Sequence, residues 1–175
     1  MTETFDLTPL SATGNWSFVA LLVGLIGLAV YIHFKALAQT SRVLIIAVLL
    51  PMVAAFSWMF YKVNDATLVV TPDLVTVDVP FYGFSLPIDE IEIAQIRQLN
   101  WRQGADLEFK PDLRVNGMGM PGFQLGWFSL LGQPKAFVAI TENDSVVAIP
   151  TTKGYPILLS LEQPAALAKY LNSKF

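Results

Sequence analysis

The chain has 175 residues, 54% hydrophobic and 14% charged, with a formal net charge of −3 and no cysteine. That length holds one ordinary domain plus an anchor; the acidic balance argues against general affinity for nucleic-acid phosphates or anionic lipid surfaces, and the lack of cysteine excludes disulfides, thiolate metal sites and cysteine nucleophiles. Of 11 basic and 14 acidic residues, only Lys35, Arg42, Lys62, Glu3 and Asp6 lie in the first 63 positions, so the apolar excess sits there and the remainder reads as an ordinary, mildly acidic domain.

Residues 1–15 read as a tail. Two charge-free runs follow, Ser17–Phe34 (SFVALLVGLIGLAVYIHF) and Val43–Tyr61 (VLIIAVLLPMVAAFSWMFY). At about 1.5 Å per residue each approaches the roughly 30 Å of a bilayer's hydrocarbon. Neither keeps a polar stripe for water, as a soluble helical hairpin would. They are expected as transmembrane helices over 16–37 and 43–63, joined by a short loop at 38–42 that makes them an antiparallel hairpin. Ala36-Leu37-Ala38 resembles a signal-peptide cleavage site, but the preceding tail is acidic and Lys35 interrupts the pattern. Pro51 is expected to kink the second span. Ala20, Gly24 and Gly27 on the first and Ala47, Ala54 and Ala55 on the second offer small faces for the two helices to pack on each other. Lys35 and Arg42 in the loop against Lys62 beyond it favour a cytoplasmic loop, with the N-terminus and the C-terminal domain outside the cytoplasm.

From Ala66 the pattern changes to short period-two runs between turn residues: TLVVT, LVTVDV, FSLPI, IEIAQIRQL, FQLGWFSLL, KAFVAI, SVVAIP and YPILL. About seven strands at this spacing predict a small barrel or sandwich over 66–175. Pro164-AALAKYL predicts a closing helix with Ala166, Leu167, Tyr170 and Leu171 on one face, behind a start at Ser160-Leu-Glu-Gln that resembles a capping box.

The order Pro72-Asp73-Leu74, Leu86-Pro87-Ile88 with Ile91, Arg114-Val-Asn-Gly-Met-Gly-Met-Pro-Gly, Gly126-Trp-Phe, Ile149-Pro-Thr and Ser160 before Pro164 resembles the bacterial pleckstrin-homology-like (PH-like) domains, which often follow one or two membrane spans. The resemblance covers residues 66–173, and Arg114–Phe128 is its most specific stretch. It implies a mainly β, membrane-anchored protein whose two-helix hairpin precedes a PH-like seven-stranded barrel with a C-terminal capping helix, without enzymatic activity. PH domains that bind phosphoinositides use Lys and Arg around the first hairpin. Here Ala66–Ile96 holds no Lys or Arg but does hold Asp73, Asp78, Asp89, Glu90 and Glu92, so phosphoinositide binding is disfavoured.

Gly117-Met-Gly-Met-Pro-Gly122 fits the spacing of a dinucleotide loop, but Pro121 interrupts it and a strand-like segment follows where a helix is required. Asn116, Gly117, Gly119 and Gly122 are expected to serve a tight turn, and Met118, Met120 and Phe123 an apolar tip offered to a membrane or partner. Arg97, Arg102, Lys110 and Arg114, interleaved with Trp101 and Phe109, are the densest basic group; they could gather round an acidic ligand or lie solvated beside Asp106, Glu108 and Asp112. The only histidine, His33, lies near the end of a span, and no metal spacing or nucleophile–base pair is present.

The expected protein is therefore a non-enzymatic, multi-pass protein of the bacterial cytoplasmic (inner) membrane. It needs no cofactor and no metal, and presents a binding or scaffolding domain to a protein partner or to another copy of itself, with no nucleic acid involved. A second reading is a sensor whose barrel interior or mouth holds a small lipid or headgroup. A void open to the membrane favours the sensor, and a filled interior favours the scaffold.

Overall fold

In the computed structural model, which describes residues 2–101 and 104–174, the N-terminal tail is a strand, β1 (Glu3–Asp6). The chain then enters α1 (Ala12–Phe34), where the Ser11 hydroxyl caps the first turn by accepting from the Gly14 N–H at 3.2 Å. Lys35 ends α1 in an extended conformation, and α2 (Gln39–Val63) runs back through Pro51 without interruption. The hairpin is thus antiparallel, and both helices are long and apolar enough to cross a membrane, with side chains mostly exposed.

The seam between the helices differs from the small-residue packing expected. Ala20, Gly24, Gly27, Ala47, Ala54 and Ala55 all face outward, and a Cβ added at Gly24 or Gly27 would meet nothing within 4 Å. Larger side chains at helical spacing are the covered ones: Leu49 is buried, and Leu22, Leu25, Ile46, Val53 and Phe56 are half-buried. The two helices thus cover each other through Leu, Val, Ile and Phe, with the glycines and alanines turned away from the contact.

Two sheets follow. β2 (Thr67–Val70), β3 (Leu74–Asp78) and β4 (Phe84–Pro87) make an antiparallel meander, and β1 from the tail adds to it in the order β1-β2-β3-β4. The second sheet is built from β5 (Arg97–Gln98), β6 (Pro111–Met120), β7 (Phe123–Leu130), β8 (Ala136–Ile140), β9 (Val146–Ile149) and β10 (Ile157–Ser160). Its order is β5-β9-β10-β8-β7-β6; only β8 and β10 are parallel. The sheets touch through single bridges at Leu7–Leu161 and Ile91–Thr151 and do not close into one barrel. The run IEIAQIRQL, expected as one strand, holds instead a single bridge residue at Ile91, one 3-10 turn at Ile93–Gln95, and only Arg97–Gln98 in a ladder. Its isoleucines still point inward, since Ile91 and Ile96 are buried.

The helix α3 (Pro164–Lys174) closes the end of the fold, with Leu167 and Leu171 buried and Tyr170 edge-on to Phe5 of β1. Ser160 is not its cap. That hydroxyl, fully buried at the end of β10, donates to the Glu142 carbonyl at 2.7 Å and accepts from the Thr141 and Glu142 N–H groups. The buried strand end needed those partners more than the helix start did.

The main core lies between the sheets, and the near ends of both helices belong to it. Phe18 of α1 is fully buried, its ring 5.4 Å from those of Phe60 in α2 and Phe123 in β7. Met59 and Val63 enter the same cluster, as do Leu7 and Leu10 of the β1–α1 connection. The Asn64 side chain accepts from the Leu10 N–H at 3.2 Å while donating to the Phe60 carbonyl at 2.8 Å, and Lys62 pairs with Asp78 of β3 at 3.2 Å. Truncating so buried an aromatic removes transfer energy and leaves a cavity. Phe18→Ala should lower unfolding stability by about 3–5 kcal/mol, read by denaturant titration of the detergent-solubilised chain, whereas Val23→Ala on the exposed face of α1 should change it by less than about 0.5 kcal/mol.

Candidate functional site

Among the described residues the space between the sheets is narrow. The void between the sheets, lined by Leu7, Val63, Val79, Leu125 and their neighbours, is about 10 Å³, room for a single water and no ligand. Space lies outside, on the far face of the six-stranded sheet. There Leu99, Trp101 and Phe109 pack with Phe128, Leu130, Val138 and Ile140 as a second small core and leave the end of the sheet nearest the helices uncovered. The result is a cleft of about 700 Å³, walled by Ser11 and Thr13 at the start of α1, by the β6–β7 turn, by Ile140 at the end of β8 with the loop to Asp144, and by Trp101 and Lys110.

Each wall is fixed by its own chemistry. At the β6–β7 turn, Gly122 has φ +75°, and a Cβ there would lie 2.6 Å from the Gly14 nitrogen. Only glycine lets the turn seat on the first turn of α1, where Ser17 Oγ also donates to the Pro121 carbonyl at 3.1 Å. Opposite, Thr141 Oγ1 donates to the Thr8 carbonyl at 2.6 Å, tying the β8–β9 loop to the segment that leads into α1. The cleft therefore stands where the helix hairpin meets the domain.

Of the residues singled out in the sequence, Trp101, Lys110, Met120 and Phe123 all border this cleft. The apolar tip does not form: Phe123 is 3% exposed and packs on Phe18, and Met118 and Met120 are half-buried against the main core, because α1 covers the turn. Asn116 and Gly117 are not in the turn either; they lie inside β6, opposite Trp127 and Gly126. A Cβ at Gly126 would stand 2.5 Å from the Asn116 carbonyl oxygen, so the two glycines permit a close cross-strand approach. Gly119 continues the same strand opposite Gln124.

Among the described residues the basic group does not converge. Arg97 binds Asp106 at 2.6 Å and Glu108 at 3.4 Å, with its guanidinium 5.2 Å from the Phe109 ring centre. Arg114 is exposed on the edge strand β6, opposite Phe128, and Arg102 lies outside the described residues. Asp106 organises this corner: its backbone is left-handed at φ +54°, its carbonyl accepts from Trp101 Nε1 at 3.1 Å, and its carboxylate accepts from the Asn100 N–H at 3.0 Å. Sequence reasoning missed Lys135, whose ammonium lies 4.2 Å from the Trp127 ring centre and 5.3 Å from that of Tyr155; the aromatic spacing carried no local signal for it. It also missed Lys153, held above the ordinary lysine range by its hydrogen bond to Glu90 and by that carboxylate's charge. Among the described residues no three His, Asp or Glu side chains gather to hold a metal ion.

Residues 60–175 match the family described as Bacterial PH domain. The chain belongs to that family. The matched span begins inside α2 and takes in everything after it, so the domain and the end of the second helix share one family pattern. PH-like domains are generally non-catalytic. No curated protein and no solved structure matches the chain.

Asp106→Ala should lower stability by about 1–2 kcal/mol, because the Asn100 N–H and Arg97 lose their acceptor at a left-handed position. Asp106→Asn should cost less, since it keeps an acceptor and tolerates that backbone; thermal unfolding followed by tryptophan fluorescence distinguishes the two.

Proposed function

We propose that this protein is a non-enzymatic, two-span protein of the bacterial cytoplasmic membrane that presents its PH domain at the bilayer surface as a rigid binding or scaffolding module, working through the cleft where α1 meets the sheet. The observation that carries the reading is the contrast between the filled interior and the open cleft. A sensor that swallows a lipid needs a chamber, whereas a docking module needs a fixed outer surface. The exposed apolar helices support membrane insertion, since chains this hydrophobic on every side have no soluble way to cover them. The partner is a protein segment or a second copy of the chain. The acidic balance argues against nucleic acid, and phosphoinositide binding is disfavoured for want of Lys or Arg in Ala66–Ile96.

Pairing of β1 with β2 requires the N-terminus and the domain to share one side of the membrane. The charges at Lys35 and Arg42, against Lys62 alone at the other end, favour the opposite turn as cytoplasmic and the domain outside. Protease added to spheroplasts should therefore digest the domain without lysis; protection until the membrane is opened would reverse the orientation.

A photocrosslinking amino acid at Gln124, in the cleft, should give a discrete protein adduct in intact cells, while the same group at exposed Leu131 should not. Equal labelling at both positions, or none at Gln124, contradicts docking at the cleft.

A further inference from the structure

The loop between β3 and β4 carries a feature that neither sheet nor core explains. Pro80 is buried and Tyr82 is half-buried, its hydroxyl donating to Asn116 Oδ1 at 3.1 Å. Between them Phe81 stands 64% exposed with φ +63°, and the Tyr82 N–H closes the turn on the Pro80 carbonyl at 2.8 Å. A bulky aromatic side chain in the left-handed region of a tight three-residue turn is costly. Glycine meets the backbone demand without strain, yet the glycine of this loop, Gly83, falls two positions later. The turn throws the Phe81 ring outward against α2, where it stands edge-on to Trp58 with centroids 5.1 Å apart. Trp58 is itself exposed, about one turn from the end of α2; Tyr61 beside it and Trp16, about one turn into α1, are also exposed. Four large rings thus mark one level at the domain-proximal ends of the two apolar helices, the depth at which aromatic side chains collect at a membrane–water interface.

We propose that Phe81 is a third membrane contact: the β3–β4 loop places its ring in the lipid interface beside Trp58, and the bilayer is its partner. The proposal rests on the membrane-spanning reading above. It adds that the domain is pressed onto the bilayer by its own loop, its apolar surface continuous with that of α2. Anionic headgroups are not required, since Asp78 pairs with Lys62 nearby and the loop carries no cation; the attraction is apolar and interfacial.

The cysteine-free chain permits a direct test. Nitroxide labels are placed singly by Phe81→Cys, by Val48→Cys in mid-span and by Leu131→Cys on an exposed loop, in the full chain reconstituted in phosphatidylcholine bilayers. Collision with oxygen, which favours lipid, is compared with collision with a water-soluble nickel chelate. The oxygen-to-nickel ratio at position 81 should be several-fold above that at 131 and below that at 48. A ratio at 81 equal to that at 131, with 48 lipid-like, overturns the Phe81 contact and leaves the spans intact. A water-like ratio at 48 overturns both. Shielding of position 81 from both reagents also overturns the proposal, because a protein then covers the ring. Should Phe81→Cys fail to fold, p-benzoylphenylalanine at position 81 keeps the aromatic shape; it should crosslink to phospholipid, and the absence of a lipid adduct refutes the contact.

Discussion

Everything in this architecture depends on one ring. Phe18, seven residues after the cap of a long apolar helix, is enclosed by Phe60 from the second helix and Phe123 from the domain. Burying an aromatic side chain of this size contributes about 1.5–3 kcal/mol. More consequential than the energy is the geometry, because the three rings belong to three elements that sequence alone places in separate parts of the chain. A helix hairpin joined to a domain only by the chain would be a flexible tether. With Phe18, Met59 and Val63 inside the domain's own core, the helices and the sheets form one body.

That junction explains several local features at once. The tail must leave β1, cross the ends of β10 and β8 in the six-stranded sheet and enter α1 within a few residues, and it does so held by Leu7, Leu10 and the hydrogen bonds of Thr8 and Asn64. The β6–β7 turn must accept the first turn of α1 at backbone distance, which demands glycine at 122. The cleft is a by-product of the same meeting: two convex elements, a helix start and a twisted sheet end, leave a polar hollow between them. On the proposed reading, a partner that enters it touches the anchor and the domain together, so its position relative to the bilayer is set by packing rather than by linker length.

Much of the fold was legible from the residues. The two apolar runs, the period-two strands from Thr67 to Ser160 and the amphipathic helix after Pro164 all declare themselves through local periodicity. The tail ETFD was not legible as a strand, because four residues carry no pattern until β2 supplies a partner. IEIAQIRQL misled in the other direction: its alternation is real, but the buried Ile91 and Ile96 flank a 3-10 turn at Ile93–Gln95 instead of sharing a strand. Of the candidate site, Trp101 and Lys110 were found by composition. Met118, Met120 and Phe123 read as a free tip because nothing local shows that a helix a hundred residues earlier will lie across it. Ser11, Thr13 and Thr141 were invisible for the same reason, being ordinary polar residues made neighbours by long-range packing.

The claim that anchor and domain form one rigid body is tested most directly by distance. Two nitroxides, at Val23 on the exposed face of α1 and at Leu131 on the far side of the domain, would be measured by double electron–electron resonance in the full chain reconstituted in bilayers. One narrow distance distribution is the result this account predicts. A broad distribution, the signature of a domain swinging on a tether, would contradict it.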